Sequence, residues 1–177
     1  MYLFIQSLSS KKQMIKGTRI KLIPIDVEMI DSLLISDQDF YQKYGLINDG
    51  GEFLNPSPDY LHKIRARLIE HPEEYPLAVD QLIVLKDTST VIGTIYYKYL
   101  PKDGVSEIGY GMSPQYEGNG YMSEAIYLML IFGKHNGINK VVADTMIDNV
   151  KSINTLRRSG FVLDKVESNK MMFYKYI

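Results

Sequence analysis

The stretch from Glu107 to Ala125 constrains the fold of this chain more than any other. It begins as a strand, passes through Gly118-Asn119-Gly120 and continues into a long apolar helix. The two glycines let the main chain approach an anion without a Cβ in the way. The helix start that follows adds unpaired N–H groups and a positive dipole end. This order predicts a phosphate site, which we interpret as the pyrophosphate site of a nucleotide-type cofactor.

Two familiar phosphate motifs are excluded at this turn. A P-loop requires Gly-Lys-Ser/Thr at the helix start, and this chain has Gly120-Tyr121-Met122 there. The dinucleotide fingerprint requires a third glycine or an alanine three residues after the second, and this chain has Ser123. A tight turn that precedes a helix and binds nothing remains the alternative interpretation.

The composition narrows the class of protein. The 177 residues are 45% hydrophobic, which fits one domain with a substantial core. The formal net charge is −1, since 20 Lys and Arg nearly balance 21 Asp and Glu. That balance argues against a non-specific nucleic-acid binder, which normally carries a basic excess. The absence of cysteine excludes disulfides, thiolate catalysis and Cys–zinc sites.

The sequence also guides the expected location and domain organisation. No uncharged apolar run has the length of a membrane span, so no membrane association is expected. In residues 1–13 the lysines follow the apolar patch, the reverse of a secretory signal, and we therefore expect a cytoplasmic protein. The three histidines lack metal-ligand spacing, so we expect no metal. We assign residues 1–16 to an N-terminal arm or extra strand and residues 17–177 to a single domain.

The hydrophobic periodicity predicts an α/β chain of seven strands and four helices. The predicted strands are 18–25, 77–85, 91–100, 105–112, 140–146, 161–167 and 171–176. The predicted helices begin after Asp26, span 59–70, run from Gly120 to Gly137, and run from a cap at Asp148 or Asn149 to Arg158. The tyrosine-rich and turn-rich residues 37–59 are predicted to be a long connection.

Three stretches resemble the GNAT superfamily of acetyl-CoA-dependent N-acetyltransferases, in particular its ribosomal-protein N-terminal (RimJ/RimL-like) branch. They are residues 107–125, residues 149–161 and the opening strand at 18–24. The resemblance implies an α/β (α+β) GNAT-like fold with a central, mixed, mostly antiparallel twisted sheet. That sheet would be splayed between its fourth and fifth strands, 105–112 and 140–146, and the pantetheine arm of acetyl-CoA would enter the gap.

The resemblance also implies which residues bind the co-substrate. The pantetheine arm would pair with residues 110–113, and the pyrophosphate would rest on the N–H groups of residues 118–123. The implied cofactor-binding residues are Tyr110, Met112, Ser113, Gly118, Asn119, Gly120, Tyr121, Met122, Ser123, Asn149 and Ser152. Glu117 departs from the family pattern, because a carboxylate beside a pyrophosphate is unfavourable unless it points away. Leu156 also departs from the family pattern, since many family members have at this position a tyrosine that acts as the general acid.

Acyl transfer to an amine requires a base, a polarised carbonyl, alignment and a proton for the leaving thiolate. Without cysteine, direct attack in a ternary complex is the simplest route. Glu107 is the candidate base, with a surface ion pair as its alternative role. Ser152 is the candidate acid, with a hydroxyl bonded to backbone as its alternative, and a backbone N–H near Met112 could hold the carbonyl oxygen. Asn149 is most simply a helix N-cap, to which the resemblance adds a bond to the cofactor arm.

The sequence is compatible with three functions. The first is an N-acetyltransferase for a primary amine, either a small molecule or a peptide or protein N-terminus. The second is a non-catalytic acyl-CoA sensor, suggested by Glu117 and the missing tyrosine acid. The third is a protein-interaction module, and a homodimer is also considered. Carboxylates in residues 26–75 are candidates for attracting the ammonium group of an acceptor: Asp37, Asp39, Glu52, Glu73 and Glu74.

Overall fold

Among residues 14–48 and 56–177, nine strands form one sheet with helices on both faces. A computed structural model describes residues 14–48 and 56–177 of the protein. The strands are β1 (Ile15–Lys16), β2 (Ile20–Pro24), β3 (Ile47–Asn48), β4 (Gln81–Leu85), β5 (Thr90–Tyr97), β6 (Val105–Met112), β7 (Lys140–Met146), β8 (Val162–Glu167) and β9 (Lys170–Tyr176). The helices are α1 (Val27–Ile35), α2 (Asp37–Tyr44), α3 (Pro58–Glu70), α4 (Tyr121–His135) and α5 (Val150–Arg158).

The sheet is mixed but mostly antiparallel, as expected. Its strand order is β1-β2-β4-β5-β6-β7-β9-β8, and β3 pairs with β5 outside that path. Among the described strands, only the β6–β7 and β3–β5 pairs are parallel. The predicted α/β class is confirmed, with two more strands and one more helix than the periodicity indicates.

The sheet opens between β6 and β7. These strands pair from Val105↔Lys140 to Glu107↔Val142 and no further. Beyond that point β7 stays paired with β9 as far as Met146, and β6 stays paired with β5 as far as Met112. The predicted splay is therefore confirmed, and it leaves a gap with one strand on each side.

Alternation along the strands produces two separate cores. On one face, side chains such as Ile95 and Ile108 pack with the apolar stripe of α4, which includes Met129. On the other face, Leu82 and Val84 pack beneath α1, α2 and α3. Helix α4 contributes Met122, Ala125, Ile126, Leu128, Met129, Leu130, Phe132 and Gly133 as buried residues. This helix therefore anchors the loop that precedes it to the larger core.

The structure corrects the prediction for residues 37–59. Helix α2 forms there, with the Ser36 hydroxyl accepting from the Asp39 N–H at 3.3 Å and with Phe40 and Tyr41 buried. Its sequence is polar apart from three aromatic residues, so its periodicity is weak and the tertiary contacts of Phe40 determine its position. Residues 49–55 lie outside the described part of the chain.

The strand predicted to begin at residue 77 begins only at Gln81. The segment before it is a turn, because the Glu74 carbonyl oxygen accepts from the N–H groups of both Leu77 and Ala78. The helix ends agree better with the predictions. Asp26 caps α1, Asn149 caps α5, and Gly137 follows α4 with φ +83°.

Candidate active site

The loop between β6 and α4 presents main-chain N–H groups where β6 ends. Gly118 and Gly120 both have φ +79°, a left-handed conformation that glycine adopts without strain. Among residues 14–48 and 56–177, the main-chain N–H groups of residues 118–123 have no hydrogen-bond acceptor. The first N–H that has one is that of Glu124, which donates to the Gly120 carbonyl oxygen at 3.1 Å. A Cβ at Gly118 would have no neighbour within 4 Å, so this side of the loop is open. The loop therefore satisfies the geometry of an anion site.

Arg19 holds this loop from the opposite side. Its Nη1 donates to the Asn119 carbonyl oxygen at 2.9 Å, and its Nε donates to Glu124 Oε2 at 2.9 Å. The guanidinium carbon lies 4.6 Å from the centroid of the Tyr121 ring. Asn119 also closes the turn, since its Nδ2 donates to the Tyr116 carbonyl oxygen at 3.2 Å. These contacts fix the loop with its carbonyl groups turned inward, so the N–H groups are preorganised.

Glu117 forms an ion pair with Lys151 on α5. The expected repulsion between Glu117 and a bound pyrophosphate is therefore offset by a neighbouring ammonium group. The Lys151 side chain is 78% exposed, so it is accessible to a ligand bound beside Glu117. Glu117, which departs from the family pattern, is thus paired with Lys151, two residues after Asn149.

Main-chain groups of β6 face the gap. The Ser113 N–H donates to the Ile92 carbonyl oxygen at 2.9 Å, away from β7. Because N–H and C=O directions alternate along an antiparallel strand, those of Tyr110 and Met112 point toward β7. Since β7 has separated from β6 there, an extended ligand would find donors and acceptors along this edge.

Helix α5 closes the gap with two of the predicted residues. The Asn149 Oδ1 accepts from the Ser152 N–H at 3.0 Å, which confirms its N-cap role and leaves its amide NH2 available. The Ser152 hydroxyl lies 3.0 Å from the Tyr110 hydroxyl. Burial raises the pKa of Tyr110, and the bond to Ser152 partly opposes that shift. The side chains of a strand and a helix thus meet across the opening, and two exchangeable protons lie next to each other.

Glu107 belongs to an ionic cluster at the point where β6 and β7 separate. The Lys98 Nζ contacts both Glu107 and Asp144, and it lies 2.7 Å from Asp144 Oδ1. The Lys170 Nζ lies 2.6 Å from the other oxygen of Asp144. The Glu107 side chain is 22% exposed, so it remains accessible. The surface ion pair considered as the alternative for Glu107 is present, with Lys98 as its partner.

The two carboxylates of this cluster differ in pKa. Burial raises the pKa of Glu107, Lys98 opposes the shift, and Asp144 reinforces it. Hydrogen bonds from Lys170 and then Lys98 lower the pKa of Asp144 strongly. Neighbouring carboxyl groups whose environments separate their pKa values are typical of acid–base sites. Asp144 thus stays ionised while Glu107 has the higher proton affinity.

Residues 19–162 match the family model described as the acetyltransferase (GNAT) domain. The chain belongs to the GNAT acetyltransferase family. The match spans strand β2, the loop before α4 and helix α5, so it includes all three stretches that carry the resemblance apart from Thr18. The predicted family, and the acyltransferase class that its description names, are confirmed.

One curated relative is the uncharacterized N-acetyltransferase YnaD of Bacillus subtilis. It is 29% identical over 93 residues, which is 51% of this GNAT chain and 51% of YnaD. The aligned stretch therefore spans about half the length of this relative.

Two solved structures of acetyltransferases share the fold. RimL, a ribosomal alpha-N-protein acetyltransferase in complex with coenzyme A, has a TM-score of 0.67 and 19% identity, covering 93% of this chain and 98% of RimL. The Microcin C7 self immunity acetyltransferase MccE, in complex with acetyl-CoA and AMP, has a TM-score of 0.63 and 21% identity, covering 91% of this chain and 94% of MccE. At these identities the likeness shows the GNAT fold and no more.

Apart from Glu107, which lies in the ionic cluster with Lys98, the structure brings the predicted site residues into two groups. One is the loop of residues 118–123, and the other surrounds the gap through Tyr110, Met112, Asn149 and Ser152. Met122 differs from the rest because its side chain is buried in the core, so only its N–H reaches the loop surface. Ser113 is also buried and its N–H is bonded to Ile92, which leaves it no exposed donor on the main chain.

Sequence reasoning missed the residues that support these groups. Arg19 and Glu124 were both within motifs that carry the resemblance, but no signal in the sequence paired them. Lys98, Asp144 and Lys170 come from three different strands or their ends, and only the fold brings them to Glu107.

The described residues contain neither a metal-binding cluster nor a membrane-spanning helix. Within the described residues no three His, Asp or Glu side chains are arranged to hold a metal ion. In the same part of the chain, no helix combines the length and apolarity needed to cross a membrane.

Proposed function

We propose that this GNAT chain transfers the acetyl group of acetyl-CoA to a primary amine by direct attack in a ternary complex. The observation that carries the proposal is the gap beyond Glu107↔Val142, which ends at a loop whose six N–H groups have no acceptor among the described residues. An extended arm with a diphosphate at one end matches both parts. RimL and MccE, which share the fold, have coenzyme A or acetyl-CoA bound.

The co-substrate fits the residues present. The N–H groups of residues 118–123 would donate to the pyrophosphate, and the exposed Lys151, which pairs with Glu117, is a nearby cation. The main-chain groups of Tyr110 and Met112 would pair with the pantetheine arm, and the free amide NH2 of Asn149 would donate to it. No side chain of the described residues blocks the open face of Gly118.

In the proposed reaction the amine nitrogen forms a bond to the thioester carbonyl carbon, and the carbon–sulfur bond breaks. Glu107 accepts the proton that the amine loses, which its raised pKa favours. The N–H of Met112 stabilises the charge on the carbonyl oxygen. Ser152 donates a proton to the leaving sulfur and regains one from Tyr110, 3.0 Å away. Tyr110 takes its proton back from solvent, to which Glu107 releases the proton it accepted, so that no net proton is consumed.

The proposed acceptor is a small amine or a peptide N-terminus. RimL is a ribosomal alpha-N-protein acetyltransferase, which supports an N-terminal amine as one acceptor class. Ile108 packs in the core that contains α4, so the adjacent Glu107 faces the other side of the sheet, where it is 22% exposed. The acceptor would therefore approach from the face opposite α4.

Isothermal calorimetry and a thiol-release assay test the proposal. We expect acetyl-CoA to bind at micromolar concentration and coenzyme A to be released with at least one member of a panel of small amines and N-terminal peptides. Binding without release on any amine would favour the sensor over the transferase. Failure to bind acetyl-CoA at millimolar concentration would reject both functions.

A further inference from the structure

A pocket of about 220 Å³ lies on the sheet face opposite α4, next to the Glu107 cluster. Its walls come from α3, from the turn before β4 and from the end of β5. The side chains that matter for its chemistry are Tyr60, Asp80, Tyr96, Lys98 and Tyr99. Three aromatic rings and one carboxylate therefore surround a space large enough for a small organic group.

Asp80 has no cationic partner in the described part of the chain. Its two carboxylate oxygens each lie 3.1 Å from the Tyr60 hydroxyl, which supplies a single proton. Both cations that line the pocket are bound elsewhere, Arg67 to Glu74 and Lys98 to Glu107 and Asp144. Burial raises the pKa of Asp80, the response of a carboxylate whose charge is not compensated. A half-buried carboxylate with spare acceptor sites is suited to an external cation.

The pocket continues to the reaction centre through Tyr96. Tyr96 pairs with Gly109 of β6, and a Cβ at Gly109 would lie 2.7 Å from the Tyr96 ring. Gly109 follows Glu107 by two residues, just where β6 leaves β7. Asp80 precedes Gln81, which pairs with Ile95, so Asp80 stands beside Tyr96 at the level of Gly109. Two strand spacings place the backbones of Asp80 and Gly109 about 10 Å apart.

We infer that this pocket binds a second cationic group of the acceptor, so that the enzyme prefers amines that carry two positive charges. The reacting amine would lie at Glu107, and the other ammonium or guanidinium group would lie between the Asp80 carboxylate and the tyrosine rings. Aromatic faces add to the attraction for such a group. This inference rests on the proposed function and adds the substrate class to it.

The test compares matched acceptors. Wild-type protein with acetyl-CoA is assayed with alkyl diamines from diaminobutane to diaminooctane, and with the monoamine in which a methyl group replaces the second amine. We expect kcat/KM of the best diamine to exceed that of its matched monoamine by about tenfold or more. In Asp80→Asn the diamine is expected to fall to the level of the monoamine, while kcat/KM of the monoamine is unchanged. Asp87→Asn, in an exposed turn, is the matched control and should keep the preference.

Three outcomes separate this inference from the proposed function. Equal rates for diamines and monoamines, or a diamine preference that survives Asp80→Asn, would overturn the second-cation pocket while the transferase stands. If no amine is acetylated, the proposed function fails. In that case, calorimetric titration of the best-binding diamine still decides the pocket, because binding must occur in the wild type and be lost in Asp80→Asn. A thermal unfolding scan of the variant excludes misfolding, since Tyr60 also links α3 to Asp80.

Discussion

The hydroxyl groups of Tyr110 on β6 and Ser152 on α5 lie 3.0 Å apart, on opposite sides of the opening between β6 and β7. Neither residue is a neighbour of the other in the sequence, and both main chains are fixed, one by pairing with β5 and the other by the Asn149 cap. A proton relay requires this kind of fixed contact. The pair therefore provides a direct test of the acid step.

Ser152→Ala and Tyr110→Phe are each expected to lower kcat by about ten- to a hundredfold, because each breaks the same relay. The Kd of acetyl-CoA, measured by calorimetry, should change much less. The double variant should be no slower than the slower single variant, since residues that act as a unit are not additive. Multiplied losses in the double variant would show that the two hydroxyl groups act independently.

Glu107→Gln is expected to lower kcat/KM for the acceptor by about a hundredfold and to remove the acidic limb of the pH profile. In the wild type, activity falls as the pH decreases through the pKa of Glu107, because the protonated carboxyl group cannot accept a proton. Lys98 lowers that pKa. Lys98→Met should therefore move the acidic limb to higher pH, and an unmoved limb would assign it to another group.

Gly118→Ala is expected to weaken acetyl-CoA binding, because φ +79° strains any residue with a Cβ and the relaxed loop would misdirect its N–H groups. Gly45 is the matched control, since it has φ +60° and, like Gly118, no neighbour within 4 Å of a built Cβ. Both variants should lose about 1 kcal/mol of stability in urea unfolding. Only Gly118→Ala should raise the Kd of acetyl-CoA, and equal effects on binding would contradict a phosphate role for the loop.

Lys151→Met is expected to weaken acetyl-CoA binding several-fold, because it leaves the Glu117 charge uncompensated beside the pyrophosphate. Adding Glu117→Gln to that variant should restore most of the affinity. The effect should shrink at high salt, as expected for an exposed pair. If Glu117→Gln fails to rescue the affinity, Lys151 contacts the ligand directly instead of neutralising Glu117.

Glu124→Gln is expected to destabilise the protein at neutral pH by about 1–2 kcal/mol. Burial raises the pKa of Glu124, but hydrogen bonds from the Arg19 main chain and side chain, and from the Ile20 main chain, outweigh it and lower the pKa overall. A lowered pKa contributes stability that is present above the unfolded value and is lost as the pH falls through the folded value. The difference between wild type and variant in urea unfolding should therefore decrease on acidification, and a difference independent of pH would exclude the carboxylate charge as its origin.

Local patterns predicted the elements that the site depends on. The strand at 105–112, the glycine turn and the long helix after it all appear where alternation, positive-φ glycine and an apolar stripe indicated. Side-chain chemistry alone predicted the cap Asp26 and limited the cap of α5 to Asp148 or Asn149, of which the structure has Asn149. The splay came only from the resemblance, because no local signal shows where two strands stop pairing.

Contacts between distant segments could not be predicted in the same way. Helix α2 was not predicted because its sequence is mostly polar and the buried Phe40 alone gives no helical periodicity. Lys98, Glu107 and Asp144 meet because β5, β6 and β7 are neighbours in the sheet. Because Lys98 pairs with those two carboxylates, it does not pair with Asp80, which has no cationic partner among the described residues. The sequence analysis considered carboxylates in residues 26–75 as the groups that attract the acceptor, whereas the carboxylate in the pocket beside Glu107 is Asp80. One of those candidates, Glu52, lies outside the described residues.

The contact between Arg19 and the loop before α4 has a practical consequence for protein engineering. A shortened chain that begins at Met14 keeps the arginine that steadies the diphosphate-facing amides, whereas one that begins at Lys21 loses it. Truncation limits for crystallisation, and the attachment points of fusion tags, therefore belong upstream of Gly17.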